Sequence, residues 1–326
     1  MMKLTEKSLK WIKNHINNQE FIDLPIEAYY KAPIALYLGG ESIDAQRILS
    51  KMKNIGDLYH YSDKHTVGRK CDNYYNYWLF LYQYFAKDPN KKEIYEIIKE
   101  SYSEKTGGFT SIKNAEVYEL RATAFGGICA FLMKDYQVGK STADFIVNLF
   151  KKNEFIGDHF YLIQDENNEL ITNYSEENQR FYNYYVKNSK PLYYSVSLAI
   201  VNLCLAYMAS GEEIYIECAK EYYDILIKSG KEAIFNNYIG KFGIASVLLY
   251  INTKDELYGD YYKRVNEYLA QTQKEFGFWE DSASNLTLAL DRTSEFTASI
   301  YIMNYLTSQF SNYNSIKTES YMVASN

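Results

Sequence analysis

Two carboxylates stand four residues apart in the segment Asp291-Arg292-Thr293-Ser294-Glu295. In a helix, residues at this spacing share one face, so both carboxylates would point the same way. An apolar wall that raised the pKa of either group toward neutrality would make it a general acid or base. The alternative is structural, because Asp291 could cap the helix and the helix dipole would favour Glu295 in the first turn.

A second charged cluster precedes the apolar stretch that begins at Ala122. Glu116, Glu119 and Arg121 lie there within six residues. Arg121 could pair with either acid, and a salt-linked structural cluster is the simpler interpretation. We nevertheless keep Glu119 and Arg121 with Asp291 and Glu295 as candidate catalytic residues, because both clusters follow a similar glycine-aromatic turn.

Aromatic residues are unusually frequent, with 35 tyrosines in 326 residues. Helical spacing of aromatic residues usually means core packing, but a buried phenol needs a hydrogen-bond partner, and a group of them suits a cavity wall. Lys241 precedes an apolar helix and is either an end-of-helix charge or a buried cation for an acidic substrate group. The predicted substrate-binding residues are Asp72, Tyr75, Trp78, Tyr193, Tyr194, Tyr238, Lys241 and Trp279.

No motif requires a metal or a cofactor. The cysteines, at positions 71, 129, 204 and 218, form no C-x-x-C pair, and the four histidines lack the spacing of metal ligands. We therefore expect no metal site, no cofactor and no disulfide framework, which predicts a chain with reduced thiols in the cytoplasm.

Net charge and hydropathy narrow the possible partners. The net charge of −6 argues against binding to nucleic acid, which requires a basic surface. The N-terminus has no apolar signal segment, and the most apolar stretch, Leu192–Ala209, is interrupted by polar residues and predicts a buried helix. We expect a small-molecule substrate and no membrane span; the oligomeric state is left open.

Apolar residues recur at intervals of three and four along nearly the whole chain, which predicts an all-α protein. Glycines and capping residues separate the predicted segments into helical hairpins. The predicted helices are Thr5–Asn18, Ile26–Leu38, Ser42–Met52, Asn73–Ala86, Lys92–Ser101, Glu116–Leu132, Lys140–Lys151, Leu192–Ala209, Glu212–Lys228, Asn237–Ile251, Glu256–Gln273 and Arg292–Leu306.

The hairpins alternate helices that are apolar nearly all round with helices that are charged on one face. A helix that is apolar on all sides must be buried, so the first kind would form an inner ring and the second an outer ring. About six hairpins predict a closed α/α toroid of the (α/α)6 type, forming one domain over residues 1–326. The segment 157–190 lacks a helical pattern and predicts a lid or insertion.

One segment carries a family motif. Tyr268-Leu269, Gln273 and Gly277-Phe278-Trp279 resemble the QW motif of squalene-hopene and other terpenoid cyclases. A degenerate copy, with Ser103 in place of glutamine, ends at Gly107-Gly108-Phe109. With the hairpin number, the chain resembles the terpenoid cyclase and protein prenyltransferase α/α toroid superfamily, particularly its single-domain bacterial members of unassigned chemistry. The resemblance implies that Gln273 closes a helix end, stacks on the aromatic ring and ties neighbouring hairpins together.

The reactions best known in that superfamily lack their residues here. The zinc site of the prenyltransferases uses Asp, Cys and a late His, but the last histidine is His159 and no cysteine follows Cys218. The D-x-D-D acid and the D-D-x-x-D magnesium motif of terpene cyclases both need adjacent aspartates, which the sequence does not contain. The fold expectation therefore stands without a specific reaction.

Two classes of function follow from these residues. The first is an enzyme of specialised metabolism, a cyclase, isomerase or lyase that uses acid-base chemistry on a small, largely apolar substrate. Its alternative is a carbohydrate-active (α/α)6 enzyme, a glycosidase, lyase or epimerase, because such barrels pair carboxylates with stacking aromatic rings. The second class is a non-catalytic toroid that binds a ligand in its aromatic cavity.

Overall fold

Helices that are apolar on all sides occupy the centre of the molecule. The computed structural model describes residues 2–17, 24–55, 72–111, 116–153, 159–176, 179–184, 193–279 and 285–323. The inner-ring helices are α2 (Ala32–Leu38), α4 (Asp72–Phe85), α6 (Leu120–Met133), α9 (Tyr193–Ser210), α12 (Ile239–Thr253) and α14 (Leu286–Val323). The outer-ring helices are α1 (Met2–Ile16), α3 (Ser42–Ile55), α5 (Lys91–Lys99), α7 (Tyr136–Asn153), α10 (Glu213–Lys228) and α13 (Glu256–Thr272).

The inner helices form a closed ring. Each packs against the next one along the chain, and α14 packs against both α12 and α2. Each of α2, α4, α6, α9 and α12 is followed by its outer helix, which covers it from solvent, whereas α1 covers α14. This arrangement confirms the predicted all-α class and α/α toroid.

The ring order also sets the direction of the helices. Because an outer helix returns the chain after each inner helix, the inner helices run parallel and all begin at the same rim. Their N-terminal residues line one cavity, whereas their C-terminal residues line another at the opposite end. Helix N-termini carry partial positive charge, so the first rim suits acidic side chains and polar ligands.

The first inner helix is shorter than its hydrophobic pattern predicts. Instead of one helix over Ile26–Leu38, a single 3-10 turn at Ile26–Ala28 precedes α2. Pro33 lies in the first turn of α2, and proline favours this position because it has no N–H to place in the helix. Lys31 is consequently the residue at the N-cap of α2, at the rim of the ring.

The predicted helix from Glu116 to Leu132 also begins later than expected. Residues Val117–Glu119 form strand β1, which pairs antiparallel with β2 (Ile163–Asp165). The pairing satisfies backbone groups that a helix would otherwise have used, and α6 starts directly after it. Two short helices complete the described chain, α8 (Gln179–Tyr182) and α11 (Lys231–Ile234).

The C-terminal helix differs from its prediction at both ends. It was expected over Arg292–Leu306 but spans Leu286–Val323. Asp291 therefore lies in the second turn and does not cap the helix, which corrects the capping alternative. Asn285 instead contacts the first turn, because its side-chain oxygen accepts a hydrogen bond from the backbone of Leu288 at 3.1 Å.

Gln273, in the QW-like turn, links the end of α13 to the N-terminal helix α1. Gln273 follows α13, and its amide nitrogen donates to the backbone oxygens of Leu4 (2.9 Å) and Gly277 (3.1 Å). The Trp279 ring nitrogen donates to the Leu269 carbonyl at 2.8 Å, and its ring meets Phe296 edge-on. This turn therefore connects α13 to α1 at the point where the ring closes.

Helix α9 holds the apolar stretch considered for a membrane span. Among the described residues it is the one helix whose length and composition would allow it to cross a bilayer. In the toroid, 67% of its 18-residue apolar window is buried inside the protein.

Candidate functional site

A small polar cavity of about 160 Å³ opens at the rim where the inner helices begin. All six inner helices, or the turns directly before them, contribute side chains, so the toroid brings together residues from most of the chain. The lining residues are Tyr30, Lys31, Tyr74, Tyr75, Arg121, Phe181, Tyr194, Asn237, Tyr238, Leu288, Asp291, Arg292 and Glu295.

An ion network forms the floor of this cavity. The Lys31 ammonium lies 2.8 Å from Oδ1 of Asp291 and 2.6 Å from Oε2 of Glu295. Lys241 approaches the other oxygen of Glu295 from α12. Lys31, Lys241 and Glu295 are each at most 5% exposed, whereas the Asp291 side chain keeps 18% of its surface open. Asp291 is thus the most exposed member of the network.

The lysines determine the charge of Glu295. Burial alone would raise the pKa of this carboxyl, but the positive charges of Lys241 and Lys31 outweigh burial and hold the pKa at about 2. This result corrects the expectation that an apolar wall would raise the Glu295 pKa toward neutrality. Burial lowers the pKa of Lys31, yet the charges of Asp291 and Glu295 prevail, and the net pKa lies above its usual value.

A second ion pair stands across the cavity. Arg121, in the first turn of α6, binds Oε1 of Glu119 through Nε (2.8 Å) and Nη2 (2.7 Å). Its remaining nitrogen Nη1 donates to the Tyr194 hydroxyl at 3.0 Å, and Nη2 also lies 3.3 Å from the Ser111 hydroxyl. The predicted pairing of Arg121 with an acid is therefore present, with Glu119 as the partner, and the guanidinium lines the cavity.

The two charged clusters occupy equivalent positions in the internal repeat. The backbone N–H of Phe109 donates to the Thr123 hydroxyl at 2.9 Å, and that of Trp279 donates to the Thr293 hydroxyl at 3.2 Å. In both cases the threonine lies fourteen residues after the aromatic residue. Arg121 and Asp291 each precede the threonine by two positions, so the same turn directs both side chains to the rim.

Tyrosines form much of the cavity wall. Tyr30 meets Tyr75 edge-on with ring centroids 4.6 Å apart, and Tyr194 lies 4.8 Å from Tyr238. Tyr74 stands between these pairs, 6.1 Å from both Tyr30 and Tyr194. Burial raises the pKa of Tyr30, Tyr74 and Tyr194 above the usual phenol value, so these hydroxyls stay protonated at neutral pH.

Trp78 and Lys241 lie behind the cavity floor. The Trp78 ring is 5.4 Å from the ammonium of Lys31 and 5.4 Å from that of Lys241. Lys241 also lies 4.8 Å from the Tyr194 ring centroid. These cation-π contacts help to hold two buried lysines in place. Both residues were predicted to bind substrate; in the structure they contact residues that line the polar cavity and do not line it themselves.

The remaining predicted residues divide between the cavity and other locations. Tyr75, Tyr194 and Tyr238, which were predicted to bind substrate, line the cavity. Tyr193 instead packs edge-on against Tyr184, because consecutive helix residues face different sides. Trp279 is buried in the QW-like turn and lies outside this cavity. The Asp72 side chain is outside the described residues; its backbone begins α4.

Several lining residues were missed in the sequence, above all Lys31. Its signal was a single cation directly before the apolar run Ala32-Pro33-Ile34-Ala35-Leu36. A charged residue at the end of a helix that is apolar on all sides needs an ionic partner or a cavity. Lys31 could therefore have been chosen as a candidate from the sequence. Arg292 and Asn237 had no comparable signal, because one neighbours Asp291 in a polar segment and the other lies in a polar turn.

Part of the predicted lid segment reaches the cavity. In its described residues, Phe181 of α8 lines the cavity, and strand β2 pairs with β1 directly before α6. Asn153 anchors the beginning of this part through hydrogen bonds with both the N–H and the carbonyl of Tyr161. Its role as a lid remains a prediction.

Within the described parts of the chain, no group of three or more His, Cys, Asp or Glu side chains is arranged to hold a metal ion. Lys31 and Arg121 already neutralise the acids at the rim. What the arrangement offers chemically is a partly open carboxylate beside several fixed cations and protonated phenols.

Comparison with known proteins shows the fold of this chain but assigns it to no family. No family model matches the sequence, and no curated protein matches it. A D-mannose isomerase has a similar structure, with a TM-score of 0.59 and 13% sequence identity over 86% of this chain and 87% of the isomerase.

Two glycoside hydrolases are also similar in structure. The GH76A alpha-1,6-mannanase of Salegentibacter sp. HEL1_6 has a TM-score of 0.60 and 13% identity, over 92% of this chain and 99% of the mannanase. A family 76 glycoside hydrolase from a bovine Bacteroides thetaiotaomicron strain has a TM-score of 0.55 and 13% identity, over 85% of this chain and 68% of the hydrolase. At this identity the likeness shows the α/α toroid fold and does not establish membership of the terpenoid cyclase superfamily.

Proposed function

We propose that this chain isomerises or epimerises a monosaccharide-sized sugar by proton transfer beside a carbonyl group. The observation that carries the proposal is the position of Asp291, the most exposed carboxylate of the ion network, beside Lys31 at the cavity floor. The carbohydrate-active alternative from the sequence is thereby preferred. The structural likeness to a D-mannose isomerase supports it at the level of the fold.

The size and lining of the cavity favour a small polar substrate. Its volume of about 160 Å³ is below the range of about 300–1,000 Å³ typical of drug-sized ligands. Tyrosine rings supply apolar faces for carbon-bound hydrogens, and their hydroxyls, with Asn237 and Arg292, supply hydrogen-bonding groups. A polyol with a carbonyl group matches this combination.

The reaction requires one base and one electrophilic partner. Asp291 would remove the proton from the carbon next to the carbonyl, and the electron pair would move onto the carbonyl oxygen. Lys31 and Arg121 are cations that would stabilise the resulting enediolate. Return of the proton to the neighbouring carbon, with transfer of the hydroxyl proton between the oxygens, gives the isomer. If the enediolate turns over in the cavity first, return of the proton from Asp291 to the same carbon gives the epimer.

Glycoside hydrolysis fits the same residues less well. A glycosidase needs one carboxylic acid that is protonated and one carboxylate that is not. Glu295 has a pKa of about 2 because two lysines surround it, so it carries no proton at neutral pH. Glu119 is bound twice by Arg121. The carbohydrate reaction that needs a single base is therefore preferred.

Cyclisation of an apolar substrate at the rim is also less favoured. The polar cavity is lined by two carboxylates and three cationic side chains. An apolar molecule would displace water from these charged groups and offer them no hydrogen bonds in return. A terpene-type proton donor must be a neutral acid, and Glu295 does not meet that condition.

The test is hydrogen exchange at the carbon next to the carbonyl group of free sugars. Aldohexoses and ketohexoses are incubated with the protein in D2O and followed by NMR. Asp291→Asn should slow exchange by about a hundredfold or more because the base is removed. Asp260→Asn is the matched control, since Asp260 pairs with Lys263 on the exposed face of α13, and it should exchange like the original protein.

Two results would contradict the proposal. Exchange that persists in Asp291→Asn would show that another group is the base. Hydrolysis of mannan oligosaccharides without exchange of any free sugar would favour the glycosidase alternative. Melting temperatures of both variants, measured alongside, separate a lost base from a lost fold.

A further inference from the structure

A second cavity, of about 620 Å³, opens at the opposite end of the barrel. It is formed where the inner helices end, and it falls within the size range of small-molecule sites, about 300–1,000 Å³. Nearly all of its wall is apolar. The lining residues are Trp78, Leu81, Tyr84, Phe85, Lys87, Lys91, Phe125, Ile128, Leu132, Leu198, Val201, Leu205, Lys241, Ile244, Leu248, Ile302, Tyr305 and Leu306.

The apolar cavity is chemically separate from the polar one. Trp78 and Lys241 line its inner end, and neither of them lines the polar cavity. The Lys241 ammonium binds Glu295, which lines the polar cavity, so it is already engaged. No carboxylate is among the lining residues that the structure describes. This cavity therefore has no acid-base pair and is suited to binding.

The charged residues that line its outer end are two lysines, Lys87 and Lys91. Lys87 lies in the turn directly after α4, and Lys91 begins α5. The Lys91 ammonium is 6.0 Å from the ring centroid of Tyr84, which itself lines the cavity. An occupant that fills the apolar space thus meets two lysines where it leaves the barrel. An anionic group at that end of the occupant would complement them.

We propose that this cavity binds a single amphipathic anion, a medium- or long-chain carboxylate, with its hydrocarbon chain in the barrel and its carboxylate at Lys87 and Lys91. The chain would extend inward until its terminal carbon reaches Trp78. Because each buried methylene group contributes about 0.8 kcal/mol, affinity should rise roughly fourfold with each added carbon until the cavity is full. The site is independent of the sugar chemistry proposed for the polar cavity.

Bromine-labelled chains test both the site and the orientation. The protein contains three tryptophans, and Trp78 alone of them lines the apolar cavity. Binding of 12-bromododecanoate should quench Trp78 fluorescence, because the terminal bromine reaches the inner end. Binding of 2-bromododecanoate, with bromine beside the head group, should quench it much less. Trp78→Phe should remove the quenching and retain binding in calorimetry.

Variants separate the two parts of the ligand. Lys87→Met with Lys91→Met should weaken dodecanoate binding about tenfold or more while leaving dodecanol binding unchanged, because the alcohol has no charge. Val201→Phe, which fills the cavity from α9, should weaken both ligands. Asp291→Asn should bind dodecanoate like the original protein, so failure of the sugar proposal would not affect this result.

Three outcomes would overturn the inference. The first is equal affinity for dodecanoate and dodecanol together with insensitivity to the lysine substitutions. The second is unchanged binding in Val201→Phe, which would place the ligand elsewhere. The third is a concentration-dependent dimer in sedimentation that excludes dodecanoate, which would show that a second copy of the chain covers this opening.

Discussion

Replacing Glu295 with glutamine removes one negative charge from a buried network and leaves its shape almost unchanged. In the structure, Glu295 lies between two ammonium groups, Lys31 and Lys241, and all three side chains are at most 5% exposed. Lys31 should still pair with Asp291 in the variant, since the two groups lie 2.8 Å apart in the structure. Lys241 keeps no ion-pair partner among the described residues, so its charge is left buried in the barrel.

The expected cost follows from that uncompensated charge. Removing one partner of a buried ion pair typically destabilises a protein by about 3–5 kcal/mol. Domains have a total free energy of unfolding of about 5–15 kcal/mol, so the variant should be markedly weakened. Combining Glu295→Gln with Lys241→Met removes both charges and retains the Lys31–Asp291 pair. The double variant should therefore recover more than about 1 kcal/mol relative to Glu295→Gln alone.

Urea unfolding at pH 7, followed by far-ultraviolet circular dichroism, measures the four proteins of this cycle. A coupling free energy of more than about 1 kcal/mol between the two positions supports the reasoning. Strict additivity, or a cost below about 1 kcal/mol for Glu295→Gln, would refute it. Glu217→Gln is the matched control, because Glu217 pairs with Lys220 on an exposed helix face, and such pairs contribute little.

Further predictions concern pH, packing and the segment over the rim. The folded pKa of Glu295, about 2, lies below its unfolded value of about 4.3, so its stabilisation is complete above about pH 5 and disappears as pH falls toward 2. Acid unfolding should show this loss, of about 3 kcal/mol, and Glu295→Gln should flatten it. In Gly127→Ala the new Cβ would lie 2.0 Å from the Asn202 amide nitrogen, so urea unfolding should show a cost of about 1–3 kcal/mol. Asn153→Ala removes two hydrogen bonds to the Tyr161 backbone and should accelerate limited proteolysis within 159–184, while an unchanged cleavage rate would contradict that anchoring role.

The ring of inner and outer helices could be predicted from the sequence because it depends on local hydrophobic patterns. Helices α9 and α12 are apolar on nearly every side, and only a central position buries all of that surface. Their partners α10 and α13 have one charged face, which assigns them to the outside. The predicted helix boundaries were wrong where another interaction competed with the helix. At Val117–Glu119, strand pairing replaced the first predicted helical turn.

Some of the candidate residues at the rim could be predicted from the sequence for a related reason. Asp291, Glu295 and Arg121 are charged residues at or near the beginning of apolar helices, and such charges need partners or a cavity. The same pattern could not identify the partners. Asp291 and Glu295 meet a lysine from the first inner helix, 264 positions before Glu295 in the chain.

By itself the sequence determined which segments are helical and which helices are central, since both depend on propensity and periodicity within about twenty residues. The protonation of Glu295 was decided by tertiary structure alone, because closing the ring brings Lys31 from α2 and Lys241 from α12 onto one carboxylate. Without those contacts, burial would raise the pKa of Glu295, as the sequence had suggested. Electrostatic interactions act through space, and their partners become known only when the chain has closed upon itself.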